Sequence, residues 1–499
     1  MSYQKYKAAL QEIKDLQAAQ AVLHWDMETF MPAKGLQQRS RQLATLGRLA
    51  QEKAQAPELG ELLQNLLAQK EQFSPAEQRN LELSWEDYQE AQKLSPQFVE
   101  QLSLLTSKAQ AAWQKARQAK DFSLFAQPLS ELLAAKREEA QIRAKADQGH
   151  LYDSLLRSYE KEATVARLDP IFEQLSSGIR QLLAKIAAQG NPPQKEFLNH
   201  RFPADQQWAF SLELLEQMGY DFEAGRQDAS THPFTTSFGA EDVRITSRID
   251  EEDLMSCLGS SIHEGGHALY EQGLLSSEYG LPLGEAVSLS IHESQSRLWE
   301  QNVAGSEAYW QHNFSRLQSL FPSQLSGVKA QDFYRAINYL APNFIRTEAD
   351  EVHYHLHVGI RYQLEKQLIG GELEVDQLEA AWNEAYEREL GICPDHPQLG
   401  VLQDIHWSAG LWGYFPTYSL GSLYASQFFA AAQKALPELQ SQIAQGELLP
   451  LRNWLRKEIH EKGRHYSSET LCQQLTGQGL SVEFFLAYLE EKYRKIYNF

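Results

Sequence analysis

Residues 250–273 have the sequence DEEDLMSCLGSSIHEGGHALYEQG, and the pattern of this stretch decides which kind of fold the chain adopts. At about 100° per residue, four apolar side chains fall within an arc of about 80°: Leu254, Leu258, Ile262 and Leu269. Such a stripe predicts an amphipathic helix over residues 251–272, with one face toward a core. We expect Asp250 to cap its start and Gly273 to follow its end.

The opposite face of this helix carries His263, Glu264 and His267, which span about 100° of the helical wheel. Two imidazoles spaced in this way can hold one metal ion, and a carboxylate beside them can act as a general base. The spacing matches the His-Glu-x-x-His motif of zinc metallopeptidases, with Glu264 as the base. The alternative is a solvated helix face, since a motif this short also arises by chance.

Gly265 and Gly266 interrupt the same helix. Each glycine costs about 1 kcal/mol relative to alanine in a helix interior, so an unforced sequence would avoid the pair. Both positions lie on or beside the apolar arc. We therefore expect another helix to approach closely here and to bring a further metal ligand.

Most of the remaining sequence also has helical patterning. Residues 75–119, for example, are rich in Ala, Gln, Glu and Leu, with apolar residues three and four apart. Breakers such as Asp169-Pro170 are expected to separate the helices. Residues 231–249 alternate instead, which predicts a small antiparallel hairpin. Because no linker, repeat or low-complexity tract divides the chain, we predict one all-α domain over residues 1–499 with a minor sheet.

Composition excludes several classes of partner. The formal net charge of −20 disfavours nucleic acid and anionic membrane surfaces, since binding to phosphate relies on clustered Lys and Arg. No stretch approaches the roughly 18 apolar residues of a membrane span, and the N-terminus lacks the apolar core of a signal peptide. Cys257, Cys393 and Cys472 are far apart and form no CxxC pair. We expect a cytoplasmic protein without nucleic-acid or membrane partners.

A catalytic zinc requires a third protein ligand while one position stays open. Five downstream glutamates are available: Glu271, Glu278, Glu285, Glu293 and Glu300. Glu293 lies in a helical segment among small hydroxyl residues, which is typical of a site interior. The pattern leaves two interpretations open, because Glu293 could equally pair with Arg297 at the i,i+4 spacing, an interaction worth a few tenths of a kcal/mol.

Residues 345–357 contain a second polar pattern. Their three alternating histidines cannot all face one metal, because alternate residues lie about 200° apart on a helix. Four other positions fall within about 60° and predict a polar stripe: Arg346, Asp350, His353 and His357. Either the stripe lines a cleft in which Arg346 binds a carboxylate, or it is a solvated face with an Arg346–Asp350 ion pair.

Residues 403–418, QDIHWSAGLWGYFPTY, combine aromatic residues with glycine, so we expect this aromatic segment to pack into the protein. His406, Tyr414 and Tyr418 could donate hydrogen bonds to the oxyanion that forms when water attacks an amide carbonyl. The alternative for each tyrosine is a structural hydrogen bond to backbone.

Together with the metal motif, five further blocks stand in a fixed order: His232-Pro233-Phe234, Asp242-x-Arg244-x-Thr246, His292-Glu293-Ser294-Gln295, Ile345-Arg346-x-x-Ala349-Asp350 and Gly400-x-x-Gln403-Asp404-x-His406-Trp407. This set resembles the thermostable carboxypeptidase family, also called the carboxypeptidase Taq family. The N-terminal block His24-Trp25-Asp26 also resembles it, so the resemblance covers essentially the whole chain.

The resemblance implies a helical, two-lobed fold with a deep substrate groove, similar to neurolysin and angiotensin-converting enzyme, and usually a homodimer. It also implies removal of single residues from peptide C-termini with broad specificity. The implied cofactor is one Zn²⁺ per chain, or Co²⁺ in its place. The metal motif alone leaves a zinc endopeptidase or oligopeptidase open, and a non-catalytic peptide-binding scaffold is a more distant alternative.

The same resemblance assigns roles to residues. It implies His263, His267 and Glu293 as metal ligands and Glu264 as the base. Arg346 becomes the candidate for the terminal carboxylate of the substrate. Further candidates for substrate or transition-state contacts are His232, Arg244, His406, Tyr414 and Tyr418. We also expect the strand near residues 242–248 to pair with the extended substrate through its backbone.

Overall fold

The structure is a computed structural model that describes residues 2–145 and 149–499, and most of these residues are helical. The α-helices of the described residues are α1 (Ser2–Thr29), α2 (Leu36–Ala54), α3 (Pro57–Leu67), α4 (Pro75–Gln92), α5 (Pro96–Ala119), α6 (Ser123–Arg143), α7 (Asp153–Leu156), α8 (Val165–Gln189), α9 (Ala204–Met218), α10 (Leu254–Glu271), α11 (Leu289–Arg297), α12 (Glu307–Leu320), α13 (Ala330–Ile337), α14 (His353–Gly370), α15 (Leu378–Leu390), α16 (Pro416–Ala435), α17 (Leu439–Ala444), α18 (Leu449–Glu458), α19 (Ser468–Thr476) and α20 (Val482–Tyr497). The predicted helical fold class is confirmed. None of the described helices combines the length and the apolar character that crossing a bilayer requires.

A small sheet has the strands β1 (Gly225–Ala229), β2 (Phe234–Ser237) and β3 (Val243–Ser247), in the order β1-β3-β2. The antiparallel β2–β3 hairpin confirms the prediction for residues 231–249. The sheet also contains a third strand that the sequence did not predict, because β1 pairs with β3 in parallel. The sequence of β1, GRQDA, lacks the alternating apolar residues that reveal a strand.

The central position of β3 also corrects the expectation for residues 242–248. Both backbone edges of β3 are occupied, by β1 on one side and β2 on the other. An extended peptide can add only to a free edge. The strand predicted to pair with substrate therefore cannot do so.

The backbone divides into two compact units, each assembled from separate segments of the chain. The first unit comprises Met1–Gln92, Pro193–Ile337 and Tyr424–Leu480. The second unit comprises Lys93–Pro192, Asn338–Leu423 and Ser481–Phe499. No single cut of the chain releases either unit, and a single domain over residues 1–499 stays a prediction.

Helix α10 lies in the core of the first unit. The predicted apolar stripe is confirmed, since Leu254, Leu258, Ile262 and Leu269 are at most 2% exposed. Each such side chain stabilises the fold by about 1.5–3 kcal/mol on burial. The helix therefore presents a fixed polar face on its opposite side.

The ends of α10 differ from the prediction. Asp253 caps the helix, accepting hydrogen bonds from the amides of Met255 and Ser256 at 3.1 and 3.2 Å. Asp250 lies too far upstream and instead accepts from the amide of Glu252. Gly273 does not adopt the left-handed conformation of a helix-ending glycine. Its missing Cβ leaves room for the ring of His460.

Two further sequence expectations are wrong. Pro170 does not separate helices, because α8 begins at Val165, with Thr164 as its cap, and continues through the proline. The predicted polar stripe is not one helix either. Residues 346–348 form a 3-10 turn, and α14 begins only at His353, where Asp350 accepts hydrogen bonds from free backbone amides. Because the side chain of Asp350 caps the start of α14, residues 346–357 are not the single continuous helix that the helical wheel assumed.

Candidate functional site

In the first unit, α10 and α11 bring together three side chains of types that can ligate a metal. The Nε2 atoms of His263 and His267 lie 3.6 and 3.3 Å from Oε2 of Glu293. One ligand atom from each residue can be chosen so that all three lie within 4.8 Å of one another. Two ligands of a tetrahedral zinc ion, each at about 2.0–2.1 Å, are about 3.4 Å apart. The three side chains therefore fit one such ion.

The two glycines of the motif permit this approach. A Cβ on Gly266 would lie 2.7 Å from the carbonyl oxygen of Gln295 and from Cα of Ser296, both in the backbone of α11. A Cβ on Gly265 would lie 2.6 Å from Leu215 of α9. The prediction of a closely packed helix is confirmed, and α11 is the helix that carries Glu293.

The two carboxylate oxygens of Glu293 have different partners. Oε1 accepts a hydrogen bond from Nε of Arg297 at 2.7 Å, whereas Oε2 faces the imidazoles and accepts from Ser296 at 3.0 Å. Burial alone would raise the pKa of Glu293, but Arg297 and His263 hold it well below its usual range. Pairing with Arg297 and proximity to the histidines thus coexist, and the carboxylate is ionised, as a metal ligand must be.

The ring nitrogens that face away from Glu293 are also engaged. Nδ1 of His263 lies 2.8 Å from Glu300, which is part of a π-helical turn, Leu298–Ala304, that continues α11. Nδ1 of His267 lies 2.5 Å from Nδ1 of His292. These contacts fix both rings with Nε2 directed toward Glu293.

The two imidazoles differ in pKa. Burial disfavours the charged form of both rings. For His263, Glu293 and Glu300 outweigh burial and raise the pKa to about 9. For His267 burial prevails and the pKa is lowered. The acidic groups around His263 therefore create a local field that favours a cation.

Glu264 is held by a residue of the sheet. Oγ1 of Thr235, in β2, lies 2.6 Å from Oε2 of Glu264 and 3.0 Å from its carbonyl oxygen, and donates to them. Glu264 as a whole residue is 8% exposed. Because β2 is an edge strand of the described sheet, Glu264 lies beside a sheet edge.

The structure separates the five glutamates that the sequence offered as third ligands. Among the described residues, Glu293 is the one grouped with the two imidazoles. Oε2 of Glu300 lies 2.8 Å from Nδ1 of His263, and Oε1 of Glu271 lies 2.8 Å from Nε2 of His292. Glu278 accepts a hydrogen bond from an asparagine at 2.8 Å, and Glu285 pairs with a lysine and an arginine.

In the second unit, the candidates of the aromatic segment lie together. Nε2 of His406 is 3.1 Å from the hydroxyl of Tyr418. The ring of Tyr414 lies 5.5 Å from that of His406 and 5.3 Å from that of Tyr418. Arg346 stacks over Tyr418, with Cζ 4.9 Å from the ring centre. Four predicted site residues therefore form one cluster.

Arg346 is 5% exposed and bound to Asp404, with Nε and Nη2 at 3.0 and 2.9 Å from one carboxylate oxygen. The other oxygen accepts from Arg361 at 2.8 Å. Burial would raise the pKa of Asp404, but the two guanidinium groups hold it far below its usual range. Two cations thus share one anion, and positive charge remains for a further anionic group.

His406 is neutral in this setting. Burial, together with the charges of Arg346 and Arg361, lowers its pKa to about 3 against the opposing effect of Asp404. A neutral imidazole has one N–H to donate and one lone pair to accept. His406 can therefore act as a hydrogen-bond donor without carrying a charge at neutral pH.

His232 and Arg244 lie in or beside the sheet of the first unit. His232 is exposed in the turn before β2, and its carbonyl accepts from Ser230 at 2.6 Å. Both Nε and Nη2 of Arg244 bind Asp242, at 2.9 and 2.8 Å, and the guanidinium stacks 4.4 Å from the ring centre of Trp25. The charge of Arg244 is thus already paired within the first unit.

Three sets of hydrogen bonds in this site were not predicted from the sequence. Thr235 binds Glu264, Glu300 binds His263, and His292 connects His267 to Glu271. Weak signals existed for each. Thr235 directly follows the first resemblance block, His292 lies within another, and both glutamates had been counted as possible ligands. Their roles depend on contacts between elements that no local spacing reveals.

Comparisons with known proteins agree along the whole chain. A family model described as carboxypeptidase Taq (M32) metallopeptidase matches residues 5–493. Thermostable carboxypeptidase 1 of Thermus thermophilus is 39% identical over 506 residues, covering 100% of this chain and 99% of the relative. Carboxypeptidase 1 of Bacillus subtilis is 35% identical, covering 98% and 97%. A crystal structure of the M32 carboxypeptidase from Deinococcus radiodurans has a TM-score of 0.97 at 35% identity and covers 100% of both chains.

Proposed function

Because the chain belongs to the carboxypeptidase Taq (M32) family of metallopeptidases and is a metallocarboxypeptidase, we propose that one zinc ion per chain supports its chemistry. The proposed ligands are His263, His267 and Glu293. The observation that carries this proposal is the convergence of two imidazole nitrogens on one carboxylate oxygen, at 3.6 and 3.3 Å. Three protein ligands with one open position are typical of catalytic rather than structural zinc.

When bound, the metal supplies a Lewis acid that polarises the peptide carbonyl and makes water a nucleophile near neutral pH. Glu264 is the proposed general base, which takes a proton from the attacking water on its carboxylate and delivers it to the leaving amine. Thr235 supports this role, because its hydrogen bond to Oε2 holds the carboxylate in one orientation. Arg297 supports the ligand set by keeping Glu293 ionised.

The cluster that includes Arg346 and His406 carries the residues proposed to contact the substrate carbonyl and carboxylate. Arg346 is the proposed anchor for the terminal carboxylate, supported by the positive charge left over when two arginines share Asp404. His406, Tyr414 and Tyr418 are the proposed donors to the developing oxyanion. The neutral state of His406 supports donation without a competing charge.

The sheet offers a further proposed contact. β2 is an edge strand of the described sheet and carries Thr235 next to Glu264, so this strand can pair with an extended peptide. His232, exposed before β2, is a proposed contact for substrate side chains. Arg244 is a further proposed substrate-binding residue. Its guanidinium also binds Asp242, which holds it in place beside the sheet.

The remaining proposals concern metal, specificity, assembly and location. We infer zinc as the physiological ion with cobalt able to replace it, and broad specificity for the C-terminal residue, from the resemblance to the family. A homodimer rests on the same resemblance. A cytoplasmic location is supported by Cys257, Cys393 and Cys472, which are free thiols.

Two measurements test the proposed roles. Glu264→Gln should retain the metal of the wild-type protein and lose turnover, because the amide cannot accept the proton. Peptides with a free and an amidated C-terminus should be cleaved very differently by the wild type. Equal cleavage of both, or a Glu264→Gln protein with full activity, contradicts the assignment of the carboxylate anchor or of the base, respectively.

A further inference from the structure

A chain of hydrogen-bonding groups extends behind one of the two proposed metal-binding histidines. Nδ1 of His267 lies 2.5 Å from Nδ1 of His292, and Nε2 of His292 lies 2.8 Å from Oε1 of Glu271. The ring of His292 packs against Tyr270, with ring centres 5.2 Å apart. Both His267 and Glu271 are on α10, whereas His292 is on α11 next to Glu293.

Chemistry allows one arrangement of protons in this chain when a metal is bound. A neutral imidazole has one N–H and one lone pair. If His267 gives the lone pair of Nε2 to a metal, its proton is on Nδ1, and Nδ1 must donate to His292. The proton of His292 is then on Nε2, which donates to Glu271. An ionised carboxylate is an acceptor only, so every bond has one donor and one acceptor.

The two proposed metal-binding histidines therefore differ in how the Nδ1 atom of each is connected to a carboxylate. His263 meets a carboxylate directly, since its Nδ1 lies 2.8 Å from Glu300. Glu300 is also shared with Arg297, at 3.1 Å. His267 reaches its carboxylate, Glu271, only through the ring of His292. Removing one bridging side chain should consequently uncouple His267 without touching Glu300.

We propose that His292, oriented by Glu271, is a positioning residue for metal binding that holds His267 in the tautomer and ring orientation needed to ligate. This inference rests on the proposed metal site. Groups that hold a ligating histidine commonly change metal affinity by about 10–100-fold when they are removed. His292 acts through His267 and is not itself a ligand.

The test is the Zn²⁺ affinity of the full chain, measured by competition with a chromophoric chelator, together with the absorption spectrum of the Co²⁺-loaded protein. His292→Leu should weaken zinc binding by about 10–100-fold and alter the cobalt spectrum. His292→Asn keeps an acceptor near the position of Nδ1 and should recover most of the affinity. Glu271→Ala should weaken binding in the same direction while leaving the bridging ring in place.

A matched control is His460→Leu. His460 is buried, and its ring centre lies 5.0 Å from that of Tyr270, but it hydrogen-bonds Gln295 and not His267. This variant should bind zinc as the wild type does. Circular dichroism of each metal-free protein identifies any variant that fails to fold. If His292→Leu fails to fold, Glu271→Ala still decides the outcome.

Three results would each overturn the inference: wild-type zinc affinity in His292→Leu, wild-type zinc affinity in Glu271→Ala, or equal losses in His292→Leu and His460→Leu. His263→Ala separates this failure from failure of the proposed function. If that variant loses zinc while His292→Leu keeps it, only the positioning role is wrong. If His263→Ala binds zinc like the wild type, the proposed metal site itself is wrong.

Discussion

Thr235 controls the direction in which the Glu264 carboxylate points, through hydrogen bonds to Oε2 and to the carbonyl oxygen of the same residue. A general base acts only when its oxygen lies within reach of the proton it takes. A hydrogen bond to a charged group contributes about 1.5–3 kcal/mol. The hydroxyl is therefore expected to matter for turnover more than for binding.

We predict that Thr235→Val lowers kcat about tenfold or more, since about 1.4 kcal/mol corresponds to a factor of ten. KM and zinc content should stay unchanged, because valine keeps the shape of threonine. Thr235→Ser retains the hydroxyl and should restore most of the lost rate. Steady-state kinetics of the three proteins checks this, and similar kcat values for valine and threonine would exclude the role.

Gly266 is required by the distance between two backbones. A Cβ there would lie 2.7 Å from Gln295 and Ser296, and a backbone cannot move aside as a side chain can. We predict that Gly266→Ala lowers the free energy of unfolding by about 1–3 kcal/mol, as other overpacked sites do. It should also weaken zinc binding, because α11 carries Glu293.

Gly259 is the matched control in the same helix. A Cβ at Gly259 would meet no other atom within 4 Å. Gly259→Ala should therefore raise the free energy of unfolding by up to about 1 kcal/mol, the difference in helix propensity between the two residues. Denaturant unfolding and chelator competition on both variants give the comparison. Destabilisation of equal size in both would show that packing against α11 is not the cause.

These residues also show what sequence can and cannot provide. The i,i+4 spacing identified His263, Glu264 and His267 because all three lie on one helix. The two glycines even indicated the approach of α11. Thr235 could not be identified in the same way, since it is 29 positions from Glu264 and on a different element. Its role arises only when β2 packs beside α10.

At the scale of elements, a buried carboxylate holds the aromatic segment in place. Glu365 on α14 is fully buried and accepts hydrogen bonds from the indole of Trp407 at 2.8 Å and from the amide of Gly413 at 2.9 Å. Tyr152 donates to it as well. Two of these donors belong to the segment that contains His406, so Glu365 joins that segment to α14.

Glu365 predicts a pH dependence of stability. Burial raises the pKa of Glu365 to about 7, despite the lowering effect of its donors. The folded protein therefore keeps this proton over a range in which the unfolded chain has lost it. The contribution of Glu365 is fully present below about pH 4.5 and is lost as the pH rises through about 7, by on the order of 3 kcal/mol.

Glu365→Gln tests this prediction, because glutamine has a similar shape and does not titrate. The difference in free energy of unfolding, wild type minus variant, should decrease between pH 5 and pH 8. Denaturant titrations at several pH values give that difference directly. A difference that stays constant, or that increases with pH, would contradict the raised pKa.

Helix ends were the least predictable elements. The wheel placed Arg346 and His353 on one helix, yet Asp350 caps α14 between them, and Arg346 pairs with Asp404 instead. For α10, the sequence has an aspartate at both 250 and 253. The structure shows that Asp253 is the cap, because the helix begins at Leu254. Capping depends on where the backbone turns, which apolar periodicity does not record.

At the scale of the whole molecule, metal binding should be linked to stability. The three proposed ligands come from two helices of the first unit, and a ligand that binds only the folded protein stabilises it. We predict that a chelator lowers the midpoint of thermal unfolding, and that added zinc restores it. A concentration 100 times the Kd corresponds to about 2.7 kcal/mol.

Differential scanning calorimetry with and without chelator measures this shift. His263→Ala is the control and should unfold at the same temperature in both conditions, because it lacks a ligand. An equal response of the variant and the wild type would show that the chelator acts elsewhere.

The overall organisation was predicted only in part. Helical periodicity indicated the fold class, and the order of the sequence blocks indicated the family. The resemblance implied two lobes, but the residues at which the two units divide, near 92, 192, 337, 423 and 480, could not be predicted from the sequence. Such boundaries are defined by contacts between distant segments, which one sequence does not display.

The interleaving of segments also has a consequence for how the chain folds during synthesis. The first unit needs residues up to Leu480, and the second needs residues up to Phe499, although both begin within the first hundred residues. Each unit can therefore be completed only after segments that are synthesised much later than its first helices. Contacts between such distant residues slow folding and leave apolar surface exposed for longer. Newly made chains should consequently depend on chaperones, and truncation after α15 should leave neither unit able to fold.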